Sequence, residues 1–460
     1  MIPIPLGNRH YKNRSLPASA QSLINFYPEI MSGDSKSKII LHSTPGLKPL
    51  VTLPSGPVHG LHVMNGVMYA VSGGNLYSIN SAGVETLIGS VSGSQRVSMA
   101  DNGTQLCIVN SSEGYTYSAA DGLAQITDID YLPASTVEQV DGYFLFPKDG
   151  TGDWFISGLL DGTAYDSLEY GTTYGNPDDV LTVLPDHADV FVFGKKSIEI
   201  KYHSGVTDFP FSSKGKIERG CAAKYSTAKM DNTIYWLGDD LAVYKMAGYT
   251  PTQISDPALE YAIQQYSVVS DAFAYTYSEE GHKFYVLTFP TGNATWVYDA
   301  STGAWHKRAY RNPLSGEEGR HKGNCYCYCY GKHFVGDFEN GKIYELDLDT
   351  YTDAGDPLVT TSVFPPIHKG GEQFTISELF LEFESGIGLT SGQGSDPQVM
   401  LEESRDGGRT WGSQLFSSIG KKGDYSQQTR FYRRGSAQEY IARVSLSDPI
   451  KRTLIGAFIR

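Results

Sequence analysis

The stretch Val67-Met-Tyr-Ala-Val-Ser-Gly73-Gly74-Asn75-Leu-Tyr-Ser-Ile79 reads as two short strands joined by a glycine turn. Tyr and β-branched residues fill both runs, and Gly73-Gly74 gives the backbone the freedom a tight hairpin needs. The same phrase recurs at Gln105 to Val109 with Tyr115-Thr-Tyr, at Tyr143-Phe-Leu-Phe with Trp154-Phe-Ile, and at Asp189-Val-Phe-Val-Phe with Ser197-Ile-Glu-Ile. It returns at Thr233-Ile-Tyr-Trp-Leu with Ala242-Val-Tyr, at Lys283-Phe-Tyr-Val-Leu with Trp296-Val-Tyr, and at His333-Phe-Val with Lys342-Ile-Tyr-Glu-Leu. Successive starts lie 38, 38, 46, 44, 50 and 50 residues apart. A period of roughly 40 to 50 residues built from paired strands marks a β-propeller, whose repeats are four-stranded blades that bury their faces on one another. Seven hairpins predict six or seven blades, since one of them can belong to a closing blade or to an adjacent domain. A β-sandwich or β-solenoid is the competing arrangement of the same strands.

Composition agrees with an all-β chain. Gly supplies 50 of the 460 residues, 31 Tyr and 20 Phe lift aromatics to 12 %, and charged residues stop at 19 %. The formal charge is −14, so the surface as a whole repels phosphate and sequence-specific DNA binding is not expected. Residues Met1 to Arg9 carry no basic stretch leading into an apolar run, and no window approaches the ~18 apolar residues of a membrane span. A soluble, unprocessed chain is therefore expected. Five cysteines, three of them at Cys325, Cys327 and Cys329, do not form a disulfide framework and are expected as thiols.

Helical signal is sparse. Asp256-Pro-Ala-Leu-Glu-Tyr-Ala-Ile-Gln-Gln-Tyr has an acidic cap, Pro at the first helical position and apolar Leu259, Ala262 and Ile263, which predicts two or three turns inserted between blades. Around Asp353 to Gly371 the pattern dissolves into Asp-Ala-Gly-Asp-Pro and Pro365-Pro366, which places a boundary near residue 360. Beyond it, Phe380-Leu-Glu-Phe-Glu, Gln398-Val-Met-Leu-Glu-Glu, Tyr440-Ile-Ala-Arg-Val-Ser-Leu and Leu454-Ile-Gly-Ala-Phe-Ile predict an antiparallel β-sandwich over 361–460. Pro3, Pro5, Pro17, Pro28, Pro45, Pro49, Pro54 and Pro57 break residues 1–60 too often for a blade. That segment is expected as an extended arm lying on the C-terminal domain or on another subunit. The propeller is expected over 61–360.

The sharpest local motif is Ser404-Arg-Asp406-Gly-Gly408-Arg-Thr410-Trp411, the S-x-D-x-G-x-T-W pattern of an Asp box. Its physics is a hairpin turn: the Asp carboxylate binds loop amides, Gly takes positive φ, and Trp packs beneath. Sialidases carry several such boxes, one per blade, whereas this chain has one, outside the repeats. A structural turn is expected. Cys325, Cys327 and Cys329 alternate with tyrosines, so in a strand the three sulfurs share one face. His321 and His333 flank them, which makes a zinc site the alternative to buried strand cysteines, although sulfurs spaced along one straight strand splay too far apart to converge on an ion. Asp178-Asp179 and Glu279-Glu280 read as solvated loop charges. No nucleophile-elbow, P-loop, zincin or dinucleotide-binding motif occurs in a usable context. Basic residues gather late, with Lys421, Lys422, Arg430, Arg433, Arg434, Arg443, Lys451, Arg452 and Arg460 all within the last 40 positions. The set Lys421, Lys422, Arg433, Arg434 and Arg452 is the candidate patch for docking on an acidic neighbour.

Several segments together resemble the packaged-DNA stabilisation proteins, or tail hub (nozzle) proteins, of short-tailed bacteriophages. They are Arg14-Ser-Leu-Pro through Leu23-Ile-Asn25-Phe-Tyr27-Pro28-Glu29, then His42-Ser-Thr-Pro45-Gly46-Leu, Arg96-Val-Ser-Met-Ala, Lys148-Asp-Gly-Thr-Gly-Asp-Trp154-Phe-Ile, Ser197-Ile-Glu-Ile and Val297-Tyr-Asp-Ala-Ser. The resemblance implies a non-enzymatic virion protein, made in the host cytoplasm, with a propeller and a β platform. It further implies a homo-hexamer under the portal and adaptor rings, with a tail needle or plug at the far end and tailspikes touching the hub. Such a hub closes the channel after packaging and lets DNA pass at ejection without reading its sequence. Arg14, Asn25, Tyr27, Pro28 and Glu29 are the candidate interface arm. No catalytic residue, cofactor or metal is implied. The alternative is a carbohydrate-binding or sialidase-like propeller, which predicts Trp154, Trp236 and Trp296 clustered with a carboxylate around one pocket at the axis.

Overall fold

A strand buried on both faces sends odd and even side chains to two different neighbours, and this rule builds the protein. In the computed structural model, which describes residues 1–173, 178–206 and 209–460, each predicted hairpin is the central strand pair of a four-stranded antiparallel blade, five of them separate sheets and the last two parts of larger ones. Blade 1 comprises Val58–Met64, Val67–Ser72, Asn75–Ile79 and Glu85–Ser90; blades 2 to 5 follow in order to Gln253. Blade 6 is Phe273–Glu279, His282–Phe289, Ala294–Asp299 and Ala304–Arg311. From the second strand of blade 2, Leu106 and Ile108 enter the core shared with blade 1, while Cys107 and Val109 enter the core shared with blade 3. In blade 5, Ile234 and Trp236 face blade 4 while Tyr235 and Leu237 face blade 6. Near-continuous apolar runs are the sequence trace of such doubly covered strands.

There are seven blades. The seventh takes Gly323–Cys329, Lys332–Asp337 and Lys342–Asp347 from the end of the repeats and its outermost strand, Gly46–Thr52, from the N-terminal segment. This pairing closes the ring non-covalently between distant parts of the chain. Gly46 is required there: a Cβ would lie 2.1 Å from the Thr350 carbonyl oxygen. The predicted helix is present as Pro257–Ile263 between blades 5 and 6; Asp256 caps it by accepting from the Leu259 amide at 2.9 Å, and Leu259 and Ile263 join the core.

Residues expected as an extended arm are strands. Ile2–Ile4, Phe26–Ile30 and Ile39–Ser43 belong to one sheet of the C-terminal sandwich, together with Phe374–Phe383, Thr429–Ala437 and Thr453–Ile459. Ala20–Ile24 belongs to the facing sheet, with Thr360–Val363, Glu439–Leu446, Gln398–Ser404 and Leu415–Ser418. Proline is tolerated because of where it falls. Pro28 sits in an edge strand, where a missing N–H removes no obligatory ladder bond, and Pro49 stands at a register shift opposite Ile343 and Tyr344. Along Phe374–Phe383 the buried positions change phase at the bulge between Ile376 and Glu378, so that Phe374 and Ile376 and then Leu379, Leu381 and Phe383 all reach the sandwich core.

The two units share a sheet. From blade 6 the hydrogen-bonded order runs through Ala304–Arg311 to Ala20–Ile24 by a parallel bridge at Ile24 and Lys307, then on through Thr360–Val363 into the sandwich, twelve strands in all. Propeller and platform are thus joined by backbone pairing as well as by side-chain contact.

Candidate functional site

Two regions concentrate polar chemistry. The first is the junction between platform and propeller. At Asn25 (φ 54°) the chain passes from one sandwich sheet to the other, a conformation Asn adopts more readily than most residues. Its Nδ2 donates to the Ala309 and Val359 carbonyls at 2.8 Å each, and its Oδ1 accepts from the Ala309 amide at 3.0 Å. Tyr27 is buried edge-on against His282 and Phe284 of blade 6, and Glu29 pairs with His42 at 2.8 Å. Pro28 is buried and Arg14 exposed. Four of the five candidate arm residues therefore make contacts within their own chain.

Below Tyr27, His282 Nδ1 lies 2.8 Å from Asp299 Oδ2. Arg308 is fully buried against the faces of Tyr277 and Phe284. Burial pushes the Glu279 carboxyl up to about 7 against the opposing attraction of Arg308, which corrects its reading as a solvated loop charge. Asp178 is likewise a buried turn residue, accepting from the Lys196 and Ser197 amides at 2.7 and 2.9 Å.

The late basic residues separate into three groups. Arg452 is 1 % exposed and leaves the docking patch. Its guanidinium donates to the carbonyls of Leu358 (2.6 Å), Asp448 (3.2 Å) and Tyr351 (3.4 Å), clamping the linker between the two units. Arg430, Arg434, Arg443 and Lys451 pair with Glu378, Glu403, Glu402 and Glu384 of the same sandwich. Lys421 reaches Asp396 only at 4.0 Å, and among the described residues Lys422 and Arg433 have no ion pair. These last three remain as free surface cations.

The Asp box is a turn between Gln398–Ser404 and Leu415–Ser418. Asp406 accepts from the Arg409 and Thr410 amides at 3.0 Å and from the Thr410 hydroxyl at 2.6 Å, which hold its carboxyl well below the usual range. Gly407 and Gly408 have φ of 74° and 83°. They press on the arm: a Cβ on Gly407 would meet Pro17 at 2.7 Å and one on Gly408 would meet Ala20 at 2.8 Å. The turn thus fastens the N-terminal segment.

Cys325, Cys327 and Cys329 share a face as the alternation predicts, and it packs between blades 7 and 1 with Val58, Met68 and Phe334. Burial raises all three thiols, Cys325 to about 12. We expect none of the five buried cysteines to react with an aromatic disulfide reagent at pH 8 while the chain is folded, and all five to react in denaturant. Fast labelling of any of them in the native protein would show that the inter-blade core opens.

The second region is the propeller axis, where residues of all seven blades enclose a cavity of 280 Å³. Arg96, Glu138, Lys224, Tyr225, Phe273 and Asn324 are among its walls. The tryptophans are elsewhere. Trp154 lies between blades 3 and 4, Trp236 between 4 and 5, and Trp296 between 5 and 6, each at most 2 % exposed. This radial spread counts against the carbohydrate reading. Among the buried junction groups Arg308 is signalled only as a charge inside the aromatic run Trp305-His-Lys-Arg-Ala-Tyr310, and Arg96, after the polar Ser92-Gly-Ser-Gln95, carries no signal of its place.

The fold is a seven-bladed propeller joined through a common sheet to a β-sandwich, and comparison with known proteins finds the same two units. The family described as bacteriophage P22 Gp10, beta-propeller, matches residues 1–351, and the family described as bacteriophage P22 Gp10, beta-sandwich, matches residues 361–460. The chain belongs to the phage P22 Gp10 family, a family of virion tail proteins and not of enzymes. The tail hub protein gp10 of Salmonella phage P22 is 23 % identical over 258 residues, which span 51 % of this chain and 53 % of that one. Among solved structures, virginiamycin B lyase from Staphylococcus aureus is similar with a TM-score of 0.46 and 10 % identity, covering 65 % of this chain and 98 % of its own. The extracellular domain of the putative one component system BT4673 from B. thetaiotaomicron has a TM-score of 0.43 and 11 % identity, covering 90 % and 62 %.

Proposed function

We propose that this protein is the tail hub of a short-tailed phage, assembling as a hexamer below the portal and adaptor rings. The sandwich (361–460, completed by strands from residues 1–60) is the platform that meets the adaptor, and the propeller (61–360) is the nozzle wall. The observation that carries this reading is the twelve-stranded sheet running from blade 6 into the platform. A wall that retains pressurised DNA must transmit load from ring to nozzle without a hinge, and a shared sheet does so. The path of DNA then lies between subunits. A sphere of the axial cavity's 280 Å³ is about 8 Å across, less than the ~12 Å width of a major groove alone. With a formal charge of −14, a ring of such subunits favours free sliding over phosphate binding. A needle or plug would seal the far end and tailspikes would contact the outer face.

The test is the mass of the purified chain by light scattering, alone and mixed with portal and adaptor rings, with micrographs of both samples. Stoichiometric joining of the rings is expected, with Lys421, Lys422 and Arg433 contributing a salt-sensitive part of the on-rate. A chain that ignores the rings at low ionic strength would refute the hub assignment.

A further inference from the structure

The axial cavity contains a cation with no ion-pair partner among the described residues. Arg96 lies against the face of Phe273, 3.9 Å from the ring centroid, and 5.6 Å from that of Tyr225. Its Nη2 donates to the carbonyl and to the side-chain oxygen of Asn324, and among the described residues no carboxylate pairs with it and no acceptor meets its Nε or Nη1. Two other bases lie within reach of its charge. Arg320 stands over Phe338 at 3.7 Å with an unpartnered Nη1, and burial and the charge of Arg96 push it down to about 10 against the attraction of Asp271, Glu339 and Asp337. His59 is held below its ordinary value by burial and by Arg96. Lys224 is already taken, its Nζ 3.6 Å from Asp149. Arg96 is half-buried, its guanidinium held on aromatic faces with donors left over, and a chain with an excess of acidic residues has placed no carboxylate within ion-pair distance of it among the described residues.

We propose that the propeller axis is a binding site for a single carboxylate group, taken by Arg96 between the aromatic walls of Phe273 and Tyr225. With Nη2 given to Asn324, the Nε–H and Nη1–H groups are free of acceptors among the described residues, and either can donate a charge-assisted hydrogen bond to a carboxylate oxygen. Further along the cavity, the Thr136 and Thr182 hydroxyls, 3.1 Å apart, can each donate or accept toward the remainder of the ligand. Glu138 also lines the cavity, with its carboxyl raised by burial, and it disfavours a second negative charge. A doubly charged phosphate is therefore a poorer fit than a carboxylate. The volume of 280 Å³ is at the lower end of ligand pockets, suited to a small organic acid or to one acidic residue or chain terminus of a partner polypeptide.

The full-length chain is titrated by calorimetry and by thermal unfolding with butyrate, with inorganic phosphate, and with a short peptide holding one Asp and blocked ends. We expect one-to-one binding and a raised melting temperature with butyrate or the peptide, and at least about a tenfold loss of affinity in Arg96→Gln, the size expected when a charged hydrogen-bonded pair is removed. Binding of the peptide alone would identify the source as a polypeptide, and binding of butyrate as a free acid. Arg96→Lys, which retains charge and loses the planar fork, should bind more weakly than wild type and serves if the Gln variant does not fold. Phosphate binding tighter than both carboxylates would overturn the assignment. So would equal affinities in wild type and the Arg96 variants, or the absence of heat and of any melting shift with all three probes at tens of millimolar.

Discussion

Asn25→Ala should lower the unfolding free energy by at least about 4 kcal/mol. The substitution leaves the Ala309 amide and the Ala309 and Val359 carbonyls unpaired in a buried site, and each orphaned group costs roughly 1–3 kcal/mol. Alanine must also adopt the left-handed backbone at φ 54°, which adds about 1 kcal/mol. Asn25→Gly separates the two terms, because glycine accepts that backbone freely and still forfeits the hydrogen bonds. It should fall between wild type and the alanine variant. Asn25→Asp retains the acceptor for the Ala309 amide but sets a carboxylate oxygen against two carbonyls, so it should be at least as damaging as alanine. The strands that Asn25 joins belong to blade 6 and to both sandwich sheets, so urea unfolding of the variant should split into separate platform and propeller transitions where wild type shows one. A variant within about 0.5 kcal/mol of wild type, the range of ordinary surface changes, would show that these bonds contribute no net stability.

How much of this was readable beforehand depends on the range of the interactions. The seven central hairpins were legible because each is local, and their apolar runs reflect burial on both faces by adjacent blades. The count of seven was open because the closing strand Gly46–Thr52 stands almost three hundred residues before its partner and contains Lys48 and Pro49. Proline density made residues 1–60 look irregular. Edge position and a bulge remove the penalty at Pro28 and Pro49, and neither is visible without the sheet. The Asp box was legible as a turn, since its hydrogen bonds span four residues, while its support of Pro17 and Ala20 was not. Charge was the least informative signal. Arg452 looked like its exposed neighbours among the late basic residues, and Arg96 stood out only within the segment Arg96-Val-Ser-Met-Ala, with no sign of its place at the axis. The surroundings of a charge are decided by what folds against it: Arg452 is buried under residues that include Leu358, and Arg96 is half-buried against Phe273, both partners more than ninety positions away.

The same burial makes Arg452→Met a test of how the two units are held together, and its effect should depend on pH. Methionine fills much of the volume but leaves the Leu358 and Tyr351 carbonyls without their Arg452 donors, while the Asp448 carbonyl keeps its bond from the Ile450 amide. It also removes the attraction that Arg452 exerts on Asp353, which is fully desolvated with Oδ1 unpartnered. Breaking a buried charge network from one side costs about 3–5 kcal/mol. Burial pushes the Asp353 carboxyl up to about 7, against the pull of Lys322 and Arg452, while its unfolded value is near the ordinary ~3.9. Between these values the folded chain holds a proton that the unfolded chain has released. Stability from this group is therefore complete below the unfolded value and is lost as pH rises toward 7, at up to about 1.4 kcal/mol per pH unit. Without Arg452 the carboxyl rises further and the loss continues to higher pH, so Arg452→Met should be mildest near pH 5 and most severe near pH 8. Asp353→Asn removes the titration: alone it should flatten the pH dependence between about 4 and 7, and combined with Arg452→Met it should recover part of the loss at pH 8. The buried histidines His10, His306 and His321, all held below their ordinary value by burial, act with the opposite sign. They are common to every variant and cancel in the comparison. Denaturant midpoints for the four proteins at pH 5 and pH 8 decide the matter, and a cost for Arg452→Met that is equal at both pH values would show that Asp353 and Arg452 are not coupled.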